Sequence, residues 1–229
     1  MRRRVPDAAT VAPTWSPDGE RVYYLSQRGP LPVLVSAPAS GGVEQVHLAF
    51  DGPAVPYEIA GDGQTLLYEQ QAQESGWDIW KRPLAGGAPT PLVRGRSNEQ
   101  APSLSRDGRW LAYSSPESEG RQIYIERVPN SGRRWRVSKE HGRQPQWQAD
   151  SRALYYHGHD RQLIRMPLDV SGDAPLTGTA AVLFPIPLRG FDVRYHYGIS
   201  PDGSRVVVNI PPPAATPLPA TVILNAPLP

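Results

Sequence analysis

Short apolar segments alternate with polar residues along the whole chain, and a turn signal breaks each of them. In the stretch from Ser105 to Ser115, Asp107-Gly108 separates the apolar segment ending at Leu104 from Trp110-Leu111-Ala112-Tyr113. Asp-Gly between two apolar segments of strand length is typical of a β-hairpin. The pattern therefore predicts an antiparallel hairpin here and not an active site.

This unit occurs five times. The turn aspartates are separated by 44, 45, 43 and 52 residues, and a period in the forties is typical of the blades of a β-propeller. A second marker, the glycine of a turn between the third and fourth strands of a repeat, recurs after 45, 45 and 40 residues. The sequence therefore predicts an all-β propeller of five four-stranded blades. The turn aspartates are Asp18, Asp62, Asp107, Asp150 and Asp202, and the glycines are Gly42, Gly87, Gly132 and Gly172.

The ends of the chain are predicted to complete one blade together. The first repeat divides into strands at 11–15, 21–26, 32–37 and 43–48, whereas the last has only three such segments, 195–199, 205–210 and 220–224. Val5 precedes Trp15 by ten residues, as Val137 precedes Trp147. We therefore expect Arg3-Arg4-Val5 to add the fourth strand, which would leave no open edge. This predicts a single monomeric domain over residues 1–229, the alternative being part of a longer ring.

Composition excludes several classes of function. The 24 basic and 22 acidic residues leave a net charge of only +2, which does not favour nucleic acid as a partner. The absence of cysteine excludes disulfides and thiolate metal sites. No apolar run is long enough to span a bilayer, and the N-terminal arginines have no apolar segment behind them, so we predict no membrane insertion and no signal peptide. The compartment is left open.

Two groups of residues resemble metal sites, and for both we prefer a structural explanation. The five turn aspartates could form a ring of carboxylates, but each sits in a hairpin turn that uses its side chain locally. His157-Gly158-His159-Asp160 could suit a transition metal, but a third ligand such as His141 or His196 cannot be placed from the sequence. We expect a tight turn there, and neither a metal nor a cofactor.

Catalytic motifs are incomplete. A serine nucleophile needs G-x-S-x-G between a strand and a helix, and the segment 198–203 departs from it by one residue. The glycine pairs at 41–42 and 86–87 precede strands and not helices, so they do not form phosphate loops. We predict no enzymatic activity.

Polar and aromatic residues lie in the loops that precede the inner strand, which is the first strand of each repeat. The turn conformations do not require these residue types there. In a propeller these loops converge at the mouth of the central channel. Arginine, tyrosine and histidine provide contact area and directed hydrogen bonds to a peptide. We therefore predict a non-enzymatic scaffold that binds a protein or peptide at the mouth. Its candidate residues are Tyr57, Asn98, Glu99, Arg143, Gln144, Arg194 and His196.

The chain resembles the bacterial WD40-like PD40 repeats of TolB-like propellers over essentially its whole length. The likeness rests on Trp-Ser-Pro-Asp-Gly at 15–19, on the segment 104–115 and on Ile-Ser-Pro-Asp-Gly at 199–203. The segments 122–129, 135–138, 143–147 and 222–225 are similar to propellers that follow the kinase domain of bacterial serine/threonine kinases. The resemblance implies a propeller and is compatible with a periplasmic or extracytoplasmic location. It leaves two alternatives open, a sensor propeller of a larger signalling kinase and the propeller of a prolyl-oligopeptidase-type peptidase.

Overall fold

The structure, a computed structural model, describes residues 10–73, 75–95, 97–118, 120–186, 197–210 and 221–222. Within these ranges it has twenty β-strands and a single 3-10 turn, His159–Arg161, so the chain is all-β as predicted. The same ranges contain no helix that is long and apolar enough to cross a membrane.

The strands form five antiparallel sheets that follow one another along the chain. The first sheet contains β1 (Thr10–Trp15), β2 (Arg21–Ser26), β3 (Val33–Pro38) and β4 (Gln45–Ala49). The second contains β5 (Ala54–Ile59), β6 (Thr65–Ala72), β7 (Gly76–Pro83) and β8 (Thr90–Val93). The third contains β9 (Gln100–Leu104), β10 (Trp110–Glu117), β11 (Gly120–Arg127) and β12 (Arg134–Arg136).

The fourth sheet departs from the predicted four strands. The fourth contains β13 (Arg143–Trp147), β14 (Ala153–His157), β15 (Gln162–Asp169), β16 (Leu176–Thr177) and β17 (Ala181–Pro185). Both β16 and β17 pair with β15, so the outer strand is divided in two, which accounts for the longer fourth interval. The fifth sheet has three described strands, β18 (Tyr197–Ile199), β19 (Val206–Ile210) and β20 (Thr221–Val222). The closing strand expected at Arg3-Arg4-Val5 lies outside the described residues.

The chain divides into two compact units, Met1–Pro102 and Ser103–Pro229. In the first unit, one face of sheet one and one face of sheet two share a core that includes Leu34, Phe50, Leu66 and Tyr68. Trp80 packs against this core. The alternation of apolar residues along these strands produces the buried face, because successive side chains of a strand point to opposite sides.

In the second unit, Trp110 forms the centre of the core between the third and fourth sheets. Its side chain is fully buried, its Nε1 donates to the carbonyl of Val170 at 3.1 Å, and Trp135 meets it edge-on at 5.5 Å. A separate core that includes Tyr155, Leu163 and Val206 joins the fourth and fifth sheets.

The predicted Asp turn closes the first hairpin of each sheet with a shared set of hydrogen bonds. In the third sheet, Ser105 Oγ donates to Asp107 Oδ1 at 2.6 Å and accepts from the amide of Trp110 at 3.0 Å. Asp107 Oδ1 also accepts from the amide of Arg109 at 3.1 Å. The serine and aspartate thus satisfy two amides that the turn removes from the ladder. These contacts recur at Ser16 with Asp18 and at Ser200 with Asp202.

Two turns reach the same geometry without the serine. In the second sheet Ala60 replaces it, and the amide of Thr65 instead donates to Asp62 Oδ1 at 2.9 Å. The Thr65 hydroxyl donates to Asp62 Oδ2 at 2.8 Å. In the fourth sheet Ser151 replaces the turn glycine and adopts φ +60°, while Asp150 Oδ1 accepts from the amide two residues later at 2.9 Å. The aspartate is therefore the feature that every turn needs.

The hydrogen bonds of the turn also keep the carboxylates ionised. A bond from the Ser16 hydroxyl lowers the pKa of Asp18, and bonds from Ser200 and Ser204 lower the pKa of Asp202. Partial burial raises the pKa of Asp107, but its bonds from Ser105 and Arg109 outweigh that effect and leave the pKa lowered. The turn aspartates therefore serve their own backbone, as the local explanation predicted.

Replacing Ser105 with Ala should destabilise the chain, because the buried amide of Trp110 then loses its acceptor. We expect the free energy of unfolding, measured by urea denaturation, to fall by about 1 to 3 kcal/mol. Ala60→Ser is the matched control, since the corresponding amide of Thr65 already bonds to Asp62. A change of less than about 0.5 kcal/mol is expected for the control. Equal effects of the two changes would contradict this explanation of the turn.

Candidate functional site: the loops before the inner strands

The predicted site residues of the first unit hold their loops in place. Asn98 lies between β8 and β9, and its Oδ1 accepts from the amide of Trp77 at 3.0 Å. This approach requires Gly76, which has φ +81° and where a Cβ would lie 2.2 Å from Asn98 Oδ1. Glu99 is only 4% exposed. Tyr57 is half-buried at a register shift in β5. Asn98 is exposed and Tyr57 is half-buried, so these two residues offer side-chain surface and Glu99 does not.

Two buried carboxylates lie near this loop, on opposite faces of the second sheet. Glu69 Oε1 accepts from the amide of Ala101 at 2.5 Å. Asp78 is fully buried, and its Oδ2 accepts from the Ser75 hydroxyl at 2.6 Å and lies 3.7 Å from Arg94 Nε. The opposite orientation follows from the register, in which Glu69 is paired with Ile79 and not with Asp78. These carboxylates therefore do not form a common site.

Three inner strands have a strained residue directly before a proline. Ala12, Ala101 and Gln144 have φ values of +56°, +54° and +52°. Residues other than glycine rarely adopt positive φ, and the conformation costs about 1 to 2 kcal/mol. In β1 and β13 the strain coincides with a register shift, so the backbone turns out of the ladder there. Such repeated strain is frequently found next to functional surfaces.

In the second unit the structure brings Arg143 and Gln144 to the start of β13. Arg143 is exposed and pairs in register with His157. The carbonyl of Gln144 accepts a hydrogen bond of 2.5 Å from the hydroxyl of Tyr197, and the amide of the Gln146 side chain donates to the Tyr197 carbonyl at 2.7 Å. Complete burial raises the pKa of Tyr197 far above its usual value, so this hydroxyl stays a donor. Tyr197 thereby fixes the strained entry into the inner strand.

His141, which the sequence alone could not place, stacks on His159. The ring centroids lie 5.5 Å apart with an angle of 24° between the planes, and His159 Nδ1 is 3.1 Å from Asp160 Oδ2. Gly120, with φ +113°, makes room for His141, because a Cβ there would lie 2.1 Å from His141 Cε1. This pair could not be predicted from the sequence, because the two histidines are distant along the chain and come into contact only when it folds.

The metal hypothesis is not supported by this geometry. The described part of the chain contains no group of three or more histidine, aspartate or glutamate side chains that could hold a metal ion. The segment His157 to Asp160 forms the tight turn expected from the sequence, with a 3-10 turn at His159–Arg161. The remaining two site candidates, Arg194 and His196, lie outside the described residues.

A concave surface lies at the opposite end of the strands in the same unit. It is a cleft of about 760 Å³ between the turn 106–109, the turn 149–152 and the segment 168–171. Three arginines and three aspartates line it, and the carboxylates of Asp107, Asp150 and Asp169 all bond to backbone amides of their own turns. The positive and negative charges of the cleft are equal in number, and its carboxylates already accept hydrogen bonds from the backbone. We therefore place the candidate site at the loop end.

Comparison with known proteins shows the fold and not the function. No protein-family model matches the chain. An uncharacterized protein of Agrobacterium fabrum is 26% identical over 118 residues, which covers 51% of this chain and 39% of that protein. TolB from Acinetobacter baumannii has a TM-score of 0.68 at 19% identity, over 90% of this chain and 49% of that one. The chain thus spans about half the length, or less, of these two proteins.

Further structures agree with this result. A putative TolB from Agrobacterium tumefaciens has a TM-score of 0.61 at 20% identity, over 88% of this chain and 69% of that one. An oligogalacturonate lyase in complex with manganese has a TM-score of 0.58 at 12% identity, over 99% and 67% of the two chains. The likenesses show the β-propeller fold. Because they include a lyase, the fold by itself accommodates both binding proteins and enzymes.

Replacing Tyr197 with Phe should destabilise the chain, because the carbonyl of Gln144 loses its donor. We expect the free energy of unfolding in urea to decrease by about 1 kcal/mol. Tyr156→Phe is the control: that side chain is equally buried, and its hydroxyl has no hydrogen-bond partner in the part of the chain that the structure describes. The control should unfold at the same urea concentration as the unaltered chain. A larger loss in the control would refute this role of Tyr197.

Proposed function

We propose that this chain is a non-enzymatic propeller that binds a protein or peptide at the loops preceding the inner strands. The observation that supports this most is the arrangement at the start of β13. Exposed Arg143 follows the stacked pair of His141 and His159, on a backbone that Tyr197 holds in a strained conformation. The surface therefore combines an arginine and two imidazoles with a fixed backbone.

The chemistry of this surface suits recognition. Arginine and histidine donate directed hydrogen bonds, and their planar groups provide contact area, which is the composition found at the centre of many protein interfaces. A surface that is ordered before binding loses less conformational entropy on association. The strained φ of Gln144 and the bond from Tyr197 provide that order.

One serine and one histidine of the first sheet lie within hydrogen-bonding distance of each other. The burial of this serine argues against a role as a catalytic nucleophile. Ser36 Oγ lies 2.7 Å from His47 Nε2, a distance at which a histidine could activate a hydroxyl. Ser36, however, is fully buried and also accepts hydrogen bonds from Arg21. Burial also lowers the pKa of His47, followed in importance by the charge of Arg21. We interpret this group as a structural network of the first sheet.

A second candidate follows from the lengths of the similar proteins. Because this chain spans 39% of its relative from Agrobacterium fabrum and 49% of the TolB chain, it could act as the accessory propeller of a larger protein. A sensor propeller of a signalling kinase fits this candidate best, in accordance with the segments noted in the sequence. The propeller of a prolyl-oligopeptidase-type peptidase fits this candidate less well than the propeller of a signalling kinase.

We expect the triple replacement Arg143→Ala, Arg194→Ala and His196→Ala to abolish binding of the partner while leaving the fold intact. The measurement is affinity capture from cells that produce the protein, with the proteins enriched by the unaltered chain quantified by mass spectrometry. The matched control is Arg106→Ala with Arg152→Ala, which removes exposed arginines at the opposite end of the unit. Circular dichroism should be the same for all three chains. Enrichment of the same proteins by the triple variant would reject the site.

We further propose that the five sheets form one closed domain over residues 1–229, sealed by a strand from the N-terminal segment. Deleting residues 1–7 would then expose the edge that this strand covers, and exposed edges associate. Light scattering should give a mass near 25.1 kDa for the whole chain and a larger mass for the truncated one. A truncated chain that stays monomeric and equally stable would contradict closure by this segment.

A further inference from the structure

The segment that leads to the proposed site is strongly basic. Between residues 133 and 143 there are five cationic residues and one anionic residue, Glu140, so this segment alone has a formal charge of +4 (5 − 1), whereas the whole chain has +2. The rest of the chain is therefore slightly acidic. The cationic residues are Arg133, Arg134, Arg136, Lys139 and Arg143.

These residues follow the outer edge of the third sheet. Strand β12 pairs only with β11 and forms the edge of the sheet. Beyond β12, the amide of Val137 donates to the carbonyl of Ile123 and the amide of Gly142 donates to the carbonyl of Arg121, both at 2.8 Å. The chain from 133 to 142 thus stays along β11 until it reaches the loop before β13. The partners of this segment on β11 run from Arg121 to Glu126, so at a rise of about 3.3 Å per residue the edge is roughly 17 Å long.

Neighbouring groups fix two of these guanidinium groups without neutralising them. Arg133 lies over the ring of Trp135, 5.2 Å from its centroid. Arg136 donates to the carbonyls of Ser138 and Lys139, at 2.9 and 2.5 Å. Rings and carbonyls hold a guanidinium in place and leave its positive charge unpaired.

A carboxylate partner exists for only part of the edge. Arg134, which also lies 4.2 Å from the centroid of Tyr124, pairs with Glu117 at 3.3 Å. Arg133, Arg136 and Lys139 have no ion pair within the described ranges of the chain. Three positive charges on one edge are therefore available to an approaching partner.

Protection of the sheet edge against association does not explain this charge. Charged residues on edge strands commonly prevent sheets from pairing with other molecules. If that were the reason here, the outer strands of the other sheets would need the same protection. Strands β4, β8 and β17 contain neither lysine nor arginine. Among the outer strands that the structure describes, the basic edge occurs only in the third sheet, the one whose outer strand continues into the proposed binding loop.

Nucleic acid fits this edge less well than protein does. Single-stranded nucleic acid binds through cations interleaved with aromatic rings that are open for base stacking. Here the ring of Trp135 is covered by Arg133 and packs against Trp110. The cations instead follow a strand, which is the geometry of an extended polypeptide.

We infer that the basic edge formed by residues 133–142 docks an acidic, extended segment of the partner protein and leads it towards His141 and Arg143. This inference rests on the proposed function and specifies the chemistry of the partner. A run of about six residues with several glutamates or aspartates matches the length of the edge, because an extended chain rises by about 3.3 Å per residue. Opposite charge would also speed the encounter and make it sensitive to salt.

The test uses fluorescence anisotropy of a labelled peptide of eight glutamates with the whole chain. We expect saturable binding that weakens as the salt concentration rises, and about a tenfold or larger loss of affinity in the variant Arg133→Glu with Arg136→Glu. The matched control, Arg106→Glu with Arg152→Glu, reverses two exposed arginines in the balanced cleft of the same unit. It should bind the peptide with nearly unchanged affinity.

Other outcomes overturn the inference. Equal losses in the control would show attraction to net charge alone, and undiminished binding by the edge variant would place the peptide elsewhere. A single-stranded DNA octamer that competes as well as the peptide would indicate nucleic acid. If the edge variant loses the peptide but still captures the cellular partner, the acidic segment is refuted and the proposed function stands. If the triple variant at 143, 194 and 196 also captures the partner, the proposed function itself fails.

Discussion

The hydrogen bond that each turn aspartate accepts from the backbone amide two residues later is the constraint on which the structure depends. It occurs in all five inner hairpins, at distances between 2.8 and 3.1 Å. A hydrogen bond to an ionised carboxylate is stronger than a bond between neutral groups. Because the turn fixes the register of the first hairpin, it decides which side chains of each sheet reach the core. The neighbouring residues of the turn, among them serine, threonine and glutamine, differ from one sheet to the next, whereas the aspartate is present in all five.

The aspartate turns close one end of each sheet. The loops at the other end, before the inner strands, can therefore differ in sequence between repeats. Residues before the inner strands need not close a tight turn, so a buried Glu99 can occupy one loop and an exposed His141 another. The strained residues before proline orient these loops, and in the second unit Tyr197 holds Gln144 in that conformation. We therefore propose that the loops bind the partner and that the turns stabilise the sheets. Loops on a regular scaffold commonly carry the functional residues of repeat proteins.

The sequence predicted the strands well because local signals determine them. In the first sheet, the Asp-Gly turn and period-two alternation gave strand positions that agree with the structure to within two residues, whereas the outer strand of the fourth sheet, divided around Gly178, has no such signal. The site was harder to predict. Nothing in the sequence shows that Glu99 is buried, that Asn98 bonds to the amide of Trp77, or that His141 reaches His159. These contacts form between repeats, where no periodic pattern applies.

Hydrogen–deuterium exchange of the whole chain, alone and with the protein that it captures, would locate the binding surface. We expect slower exchange on binding at residues 137–144 and 158–162, and unchanged exchange at the turn amides of 105–110. Protection confined to the cleft at 106–109, 149–152 and 168–171 would contradict this expectation, because recognition would then belong to the turns.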